Sequence, residues 1–186
     1  MLIGVCGKAR SGKDEFTNIL RIEYKYIQYF FAKPVKDACK VIFDLTDEQL
    51  YGDLKEVIDE RWNITPREML QTFGTEIMQY EFGNKLPAFK DKIYRSFWVE
   101  KFKNWYNANK DMNIVISDVR FEHELKALRE LNAVIVKVDA SKRIVSTDSH
   151  VSENELNDIE PDYIIDNNES LDDLHANVSI VMNKIR

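Results

Sequence analysis

Five short apolar runs, each about the length of a strand, recur along the chain between segments of helical pattern. They are "LIGVC" (2–6), "YIQYFFA" (26–32), "NIVISD" (113–118), "AVIVKV" (133–138) and "DYIID" (162–166). Three of them are nearly continuous in Ile and Val, as parallel strands covered on both faces require. The helical segments fall at about 12–22, 34–43, 65–82, 94–109, 121–131 and 170–185. This alternation predicts an α/β chain with an open, five-stranded, mostly parallel sheet flanked by helices. The stretch from about 44 to 109 lacks a strong strand and is expected to form a helical insertion that covers a ligand. A length of 186 residues suits one domain carrying such an insertion.

The first strand leads into "GVCGKARSGKDEF" (4–16), and a helical pattern follows at once. Strand, glycine-bounded loop and helix is the context in which backbone N–H groups converge on phosphate oxygens. Gly7, Lys8, Ala9, Arg10, Ser11, Gly12 and Lys13 are therefore expected to hold a nucleotide's phosphates. The positive end of the helix behind them adds to the attraction. Lys13 is the mobile cation that reaches the β- and γ-phosphates. The residue after Gly-Lys is usually a Ser or Thr that ligates Mg²⁺. Here it is Asp14, a hard carboxylate oxygen expected in the same place.

Other charged groups fall at the carboxyl ends of predicted strands, where ligands of open α/β sheets collect. Asp118 and Arg120 follow the third strand; Asp118 suits a metal-bound water and Arg120 a phosphate. In "FFAKPVKDACK", Lys33 and Lys36 sit beside Pro34 at a helix start, where a second anion can dock. Thr65, Pro66 and Glu68 form a capping-box signature that opens the helix from 65. At ~100° per residue, Arg67, Gln71, Gly74, Thr75 and Met78 share one face, with Met69, Leu70, Phe73, Ile77 and Tyr80 opposite. Gly74 on that first face is expected to let another molecule approach the backbone. Lys142 and Arg143 precede "STDSHVSENEL" (146–156), the place of a mobile lid spanning about 140–156, and His150 within it is a secondary candidate that could cap, stack or bind phosphate. Asn167 and Asn168, in the loop after the last strand, are expected near an adenine.

The net charge is −6, yet residues 1–40 carry +4 and residues 141–186 carry −6. The basic excess therefore surrounds the phosphate loop and suits a small polyanion. No extended basic surface for duplex nucleic acid and no membrane-length apolar run is present. Two cysteines in no metal or redox spacing agree with a reduced, cytoplasmic setting. The acidic C-terminal third and the aromatics of 94–109 suit a homodimer contact.

Taken together, these segments resemble the deoxynucleoside monophosphate kinases of tailed bacteriophages. Asp14 matches that family's G-x-x-x-S-G-K-D loop. "AKPVKDA", "REMLQTFGTEI" and "FWVEKF" are similar to its helical motifs. "SDVRFEHELKALRELNAVIVKV" resembles its D-x-R-x-x-x-E strand and helix, covering Asp118, Arg120 and Glu124. The resemblance implies a P-loop NTPase fold and transfer of the γ-phosphoryl group of ATP, with Mg²⁺, to a deoxynucleoside 5′-monophosphate in the host cytoplasm. It implies catalytic roles for Lys13, Asp118, Arg120 and Arg143, metal contacts from Asp14 and Asp118, and acceptor contacts from Lys33, Lys36, Arg67, Gln71, Gly74, Thr75, Arg120 and His150. The alternatives are a P-loop kinase for phosphomevalonate or dephospho-coenzyme A, and a nucleotide-binding module that transfers nothing.

Overall fold

The computed structural model describes residues 1–87, 96–143 and 160–185. In chain order the elements are β1 (Leu2–Cys6), α1 (Lys13–Glu23), β2 (Ile27–Tyr29), α2 (Ala32–Ile42), α3 (Asp47–Tyr51), α4 (Pro66–Gln71), α5 (Phe82–Lys85), α6 (Phe97–Asn107), β3 (Ile114–Ile116), α7 (Glu122–Glu130), β4 (Val134–Asp139), β5 (Tyr163–Asp166) and α8 (Leu171–Ile185). A 3₁₀ turn covers Asp53–Glu56, and a π-helix over Thr72–Glu81 joins α4 to α5. The chain divides into two compact units, Met1–Phe30 with Trp105–Arg186, and Phe31–Asn104.

The first unit is built on a five-stranded, wholly parallel sheet in the order β2-β3-β1-β4-β5. β1 and β3, inside the sheet, are buried at every residue, which explains their unbroken apolar sequences. The edge strands β2 and β5 leave Ile27 and Ile164 exposed. Ile3, Val5, Val115, Val136, Val138 and Ile165 from the strands pack with Phe16, Ile19 and Leu20 of α1 and Leu174, Val178 and Met182 of α8. β2 is shorter than its apolar run predicts. Its last residues join α2 instead, because Pro34 fits the first turn of a helix, where a missing N–H costs nothing.

The second unit is helical around Val35, Cys39, Leu45, Leu50, Met69 and Trp98. It begins at Phe31, because α2 packs with α4 and the π-helix. The Thr65 capping box forms as its spacing predicts: Glu68 N donates to Thr65 Oγ1 at 3.2 Å, and Thr65 N donates to Glu68 Oε2 at 2.9 Å. Asp59, in the loop before it, is buried and accepts from Arg61 Nη2 at 2.6 Å and Gln49 Nε2 at 2.8 Å. Those contacts hold its carboxyl far below the usual range.

From Thr72 the helix departs from the expected geometry. Phe82 N donates to Ile77 O, five residues back, as a π-helix requires. The buried positions Met69, Gly74 and Gln79 are accordingly five apart, and Ile77 is exposed. The Gly74 carbonyl accepts a buried 2.8 Å hydrogen bond from Trp98 Nε1.

Candidate active site

The loop between β1 and α1 takes its shape from three residues of positive φ: Gly7 at 146°, Arg10 at 63° and Gly12 at 95°. Ser11 N donates to Lys8 O at 3.1 Å, closing the loop on itself. Gly12 is the N-cap of α1 and supplies no capping side chain. The first-turn N–H groups, which have no partner inside a helix, are thus not covered by a cap. Lys13 Nζ donates to Gly7 O at 2.8 Å and Lys8 O at 2.7 Å, so its ammonium lies across the loop. Thr17 Oγ1 anchors the start of α1 on Lys13 O at 2.7 Å. Asp14 is exposed in the first turn, where a carboxylate also favours the helix dipole.

Parallel register brings further candidates to this edge of the sheet. Gly4 pairs with Ile116, the last residue of β3, so the turn holding Asp118 leaves the sheet at the same end as β1. Val119 N donates to Val5 O at 3.3 Å. Asp118 is half-buried, and Arg120 beside it is exposed. Glu124 is buried, and its Oε2 accepts from Arg120 N at 2.8 Å and Phe121 N at 3.1 Å. Burial, with Asp118's charge adding to it, pushes the Glu124 carboxyl up to about 8. Burial and then Asp118 likewise push the Tyr29 phenol up to about 12. Burial raises the Cys6 and Cys39 thiols to about 11, so neither is a thiolate near neutral pH. Arg143 lies exposed in the turn after β4, its N–H on Ala140 O at 3.0 Å.

In the helical unit, Lys33 and Lys36 lie on α2 and Arg67 and Gln71 on α4. Lys33 pairs with Asp37 at 2.6 Å, a contact that raises its pKa. Lys36 Nζ lies 3.8 Å from the centroid of the Tyr51 ring, and Arg67 Nε pairs with Glu56. Gln71 and Thr75 are half-buried. Gly74 departs from its expected place on an open face. It is buried, and a Cβ there would stand 2.8 Å from Val35 Cγ1. The cause is the π-helix, which rotates Gly74 onto α2. The glycine admits a neighbouring helix at that position.

Asn167, expected near an adenine, is anchored on the phosphate loop. It is buried, and its Nδ2 donates to Ser11 O at 2.8 Å. Asn168 Oδ1 accepts from Lys142 N at 2.8 Å. His150 and lid residues 144–156 lie outside the described residues. Glu124 and Trp98, which fall in the D-x-R-x-x-x-E and FWVEKF segments, gain structural contacts that those motifs do not specify: Glu124 receives the Arg120 and Phe121 N–H groups, and Trp98 donates to the Gly74 carbonyl 24 residues away.

A sequence profile described as deoxynucleotide monophosphate kinase matches residues 40–178. The chain belongs to that family. A protein of Acanthamoeba polyphaga mimivirus with the same family description is 36% identical, over 96% of this chain and 94% of its own. The deoxynucleotide monophosphate kinase of Escherichia phage RB69 is 27% identical, over 97% of this chain and 99% of its own. Among solved structures, Thermus thermophilus TT1252 resembles the fold with a TM-score of 0.52 at 15% identity, covering 100% of this chain and 98% of its own. The kinase is thus a phosphotransferase of nucleotide metabolism on a parallel α/β fold. Among the described residues no helix is long and apolar enough to cross a membrane.

Proposed function

We propose that this kinase transfers the γ-phosphoryl group of ATP to a deoxynucleoside 5′-monophosphate, with the donor held by residues 7–13. The observation that carries the reading is the uncapped, glycine-shaped start of α1 with the Lys13 ammonium lying across it. Phosphoryl transfer leaves the protein little covalent work, so position and charge supply the rate. Two unit charges 4 Å apart repel by about 4 kcal/mol at an effective dielectric of 20. Bringing two phosphates together therefore requires several cations. Lys13 serves the donor; Arg120, Lys36 and Arg67 serve the acceptor phosphate; Arg143 neutralises charge as transfer proceeds. Gln71 and Thr75 meet the acceptor's sugar or base. The acceptor phosphate is already ionised near neutral pH and needs no strong general base.

Asp14 and Asp118 fit Mg²⁺. Both are carboxylates, one exposed and one half-buried, at adjacent chain turns of the sheet edge. No cluster of three or more metal-ligating side chains occurs among the described residues. A magnesium ion that keeps its waters and the nucleotide's phosphates needs only one or two carboxylates. When bound, the ion supplies charge neutralisation on the β- and γ-phosphates.

ADP release in the presence of each common deoxynucleoside monophosphate, phosphomevalonate and dephospho-coenzyme A tests the assignment. Stimulation by at least one deoxynucleotide and by neither other acceptor is expected. ATP binding without acceptor-stimulated ADP release would refute it.

A further inference from the structure

We infer that Asn167 is a positioning residue for the phosphate loop, acting through the Ser11 carbonyl. A loop that turns N–H groups toward an anion must turn carbonyls away, and each carbonyl then needs a donor of its own. Lys8 O receives Ser11 N–H, and Gly7 O receives the Lys13 ammonium. Ser11 O is served by Asn167 Nδ2, a residue 156 positions away in sequence. The peptide so held joins Ser11 to Gly12, the residue that starts α1.

Two further observations support the assignment. A Cβ on Gly12 would lie 2.1 Å from Asn167 Nδ2, so the loop is shaped to admit this amide. Asn167 is also held from behind. Its N–H donates to Asp139 O at 2.7 Å, and Asn177 Nδ2 binds Asp166 O at 2.9 Å. The ends of β4 and β5 therefore place the amide, and the amide orients the loop. A residue used in this way serves every triphosphate alike, because it reads the loop and not the base.

The inference rests on residues 7–13 holding the donor, and the test separates the two. Full-length wild type, Asn167→Ala and Asn167→Ser are titrated with ATP and with inorganic tripolyphosphate in Mg²⁺, after melting curves identify the folded variants. Asn167→Ser retains a small polar group at the turn and serves if the alanine variant does not fold. Both ligands are expected to bind about tenfold more weakly to the variants, as one lost buried hydrogen bond implies, while affinity for a deoxynucleoside monophosphate stays the same. Weakened ATP binding with unchanged tripolyphosphate binding would mean that Asn167 touches the base, and would overturn the inference. Unchanged binding of both would overturn it too. A wild-type protein that binds neither ligand would instead remove the loop's role as donor site.

Discussion

Replacing Gly74 with alanine separates a packing glycine from a ligand-facing one. The added methyl would stand 2.8 Å from Val35 Cγ1 and 3.3 Å from Cγ2. Carbon atoms pack at about 3.5–4.0 Å, so the nearer contact is short by roughly 0.7–1.2 Å. Val35 is buried and β-branched, and in a helix such a side chain has one strongly preferred rotamer. It cannot swing aside, and α2 or the π-helix must move. Overpacking of this kind costs about 1–3 kcal/mol, against about 0.5–1 kcal/mol that alanine gains over glycine within a helix. The expected result is net destabilisation of about 1–2 kcal/mol. Val35→Ala leaves a small cavity when made alone, but the Gly74→Ala methyl partly fills it. The double variant should therefore be more stable than the two single changes predict, with a coupling of about 1–2 kcal/mol. Urea unfolding followed by tryptophan fluorescence measures this, since Trp98 is bonded to the Gly74 carbonyl. A Gly74→Ala protein of unchanged or greater stability, with additive energies and lost acceptor affinity, would return Gly74 to an open, ligand-facing surface.

Three further outcomes test the site. Lys13→Ala should cut turnover by roughly 10²–10³ with an unchanged circular dichroism spectrum; near-normal activity would remove Lys13 from the mechanism. Asp14→Ser should shift the Mg²⁺ concentration needed for half-maximal rate, and an unaltered magnesium titration would exclude Asp14 as a metal contact. The folded pKa of Glu124, about 8, lies above its usual value, so its stabilising effect is complete below about 4.5 and is lost as pH rises through 8. Glu124→Gln retains an acceptor for the Arg120 and Phe121 N–H groups. It should gain stability over wild type on the order of a few kcal/mol between those limits, and a pH-independent difference in urea midpoints would contradict the shift.

Much of the α/β unit was legible because its signals are local. Continuous Ile/Val runs report burial on both faces, and β1 and β3 are buried throughout. Glycines at 7 and 12 report backbone torsions, and both adopt positive φ. Thr65 and Glu68 report a cap within one turn. The helix beyond that cap forms over its expected length, but a fixed ~100° step misplaces Gly74, Ile77 and Met78, because the period changes at Thr72. The wider helix meets partners distant in sequence, Trp98 on the Gly74 carbonyl and Val35 against the Gly74 backbone, which no local pattern reports. Asn167 follows the same logic. As a residue in a polar turn its composition is uninformative, and its partner lies at the other end of the chain.

The two kinds of anion contact differ in what binding must disturb. In the phosphate loop the backbone is already set by its own hydrogen bonds, so little is left to order when a polyphosphate arrives. The cations proposed for the acceptor side are set differently. Lys33, Lys36 and Arg67 each have a partner within their own unit: Asp37, the Tyr51 ring and Glu56. The two exposed ion pairs contribute about 0–1 kcal/mol each, and the cation–π contact on the exposed Tyr51 ring about 0.5–1 kcal/mol, so exchanging these partners for a doubly charged phosphate meets little resistance. A singly charged anion gains much less from the same exchange. On the proposed assignment, the arrangement favours a phosphate monoester over stray monovalent anions before any base is read, while the loop discriminates by main-chain shape. A substitution that frees a cation, such as Glu56→Gln beside Arg67, should on this reasoning tighten binding of inorganic phosphate more than binding of ATP.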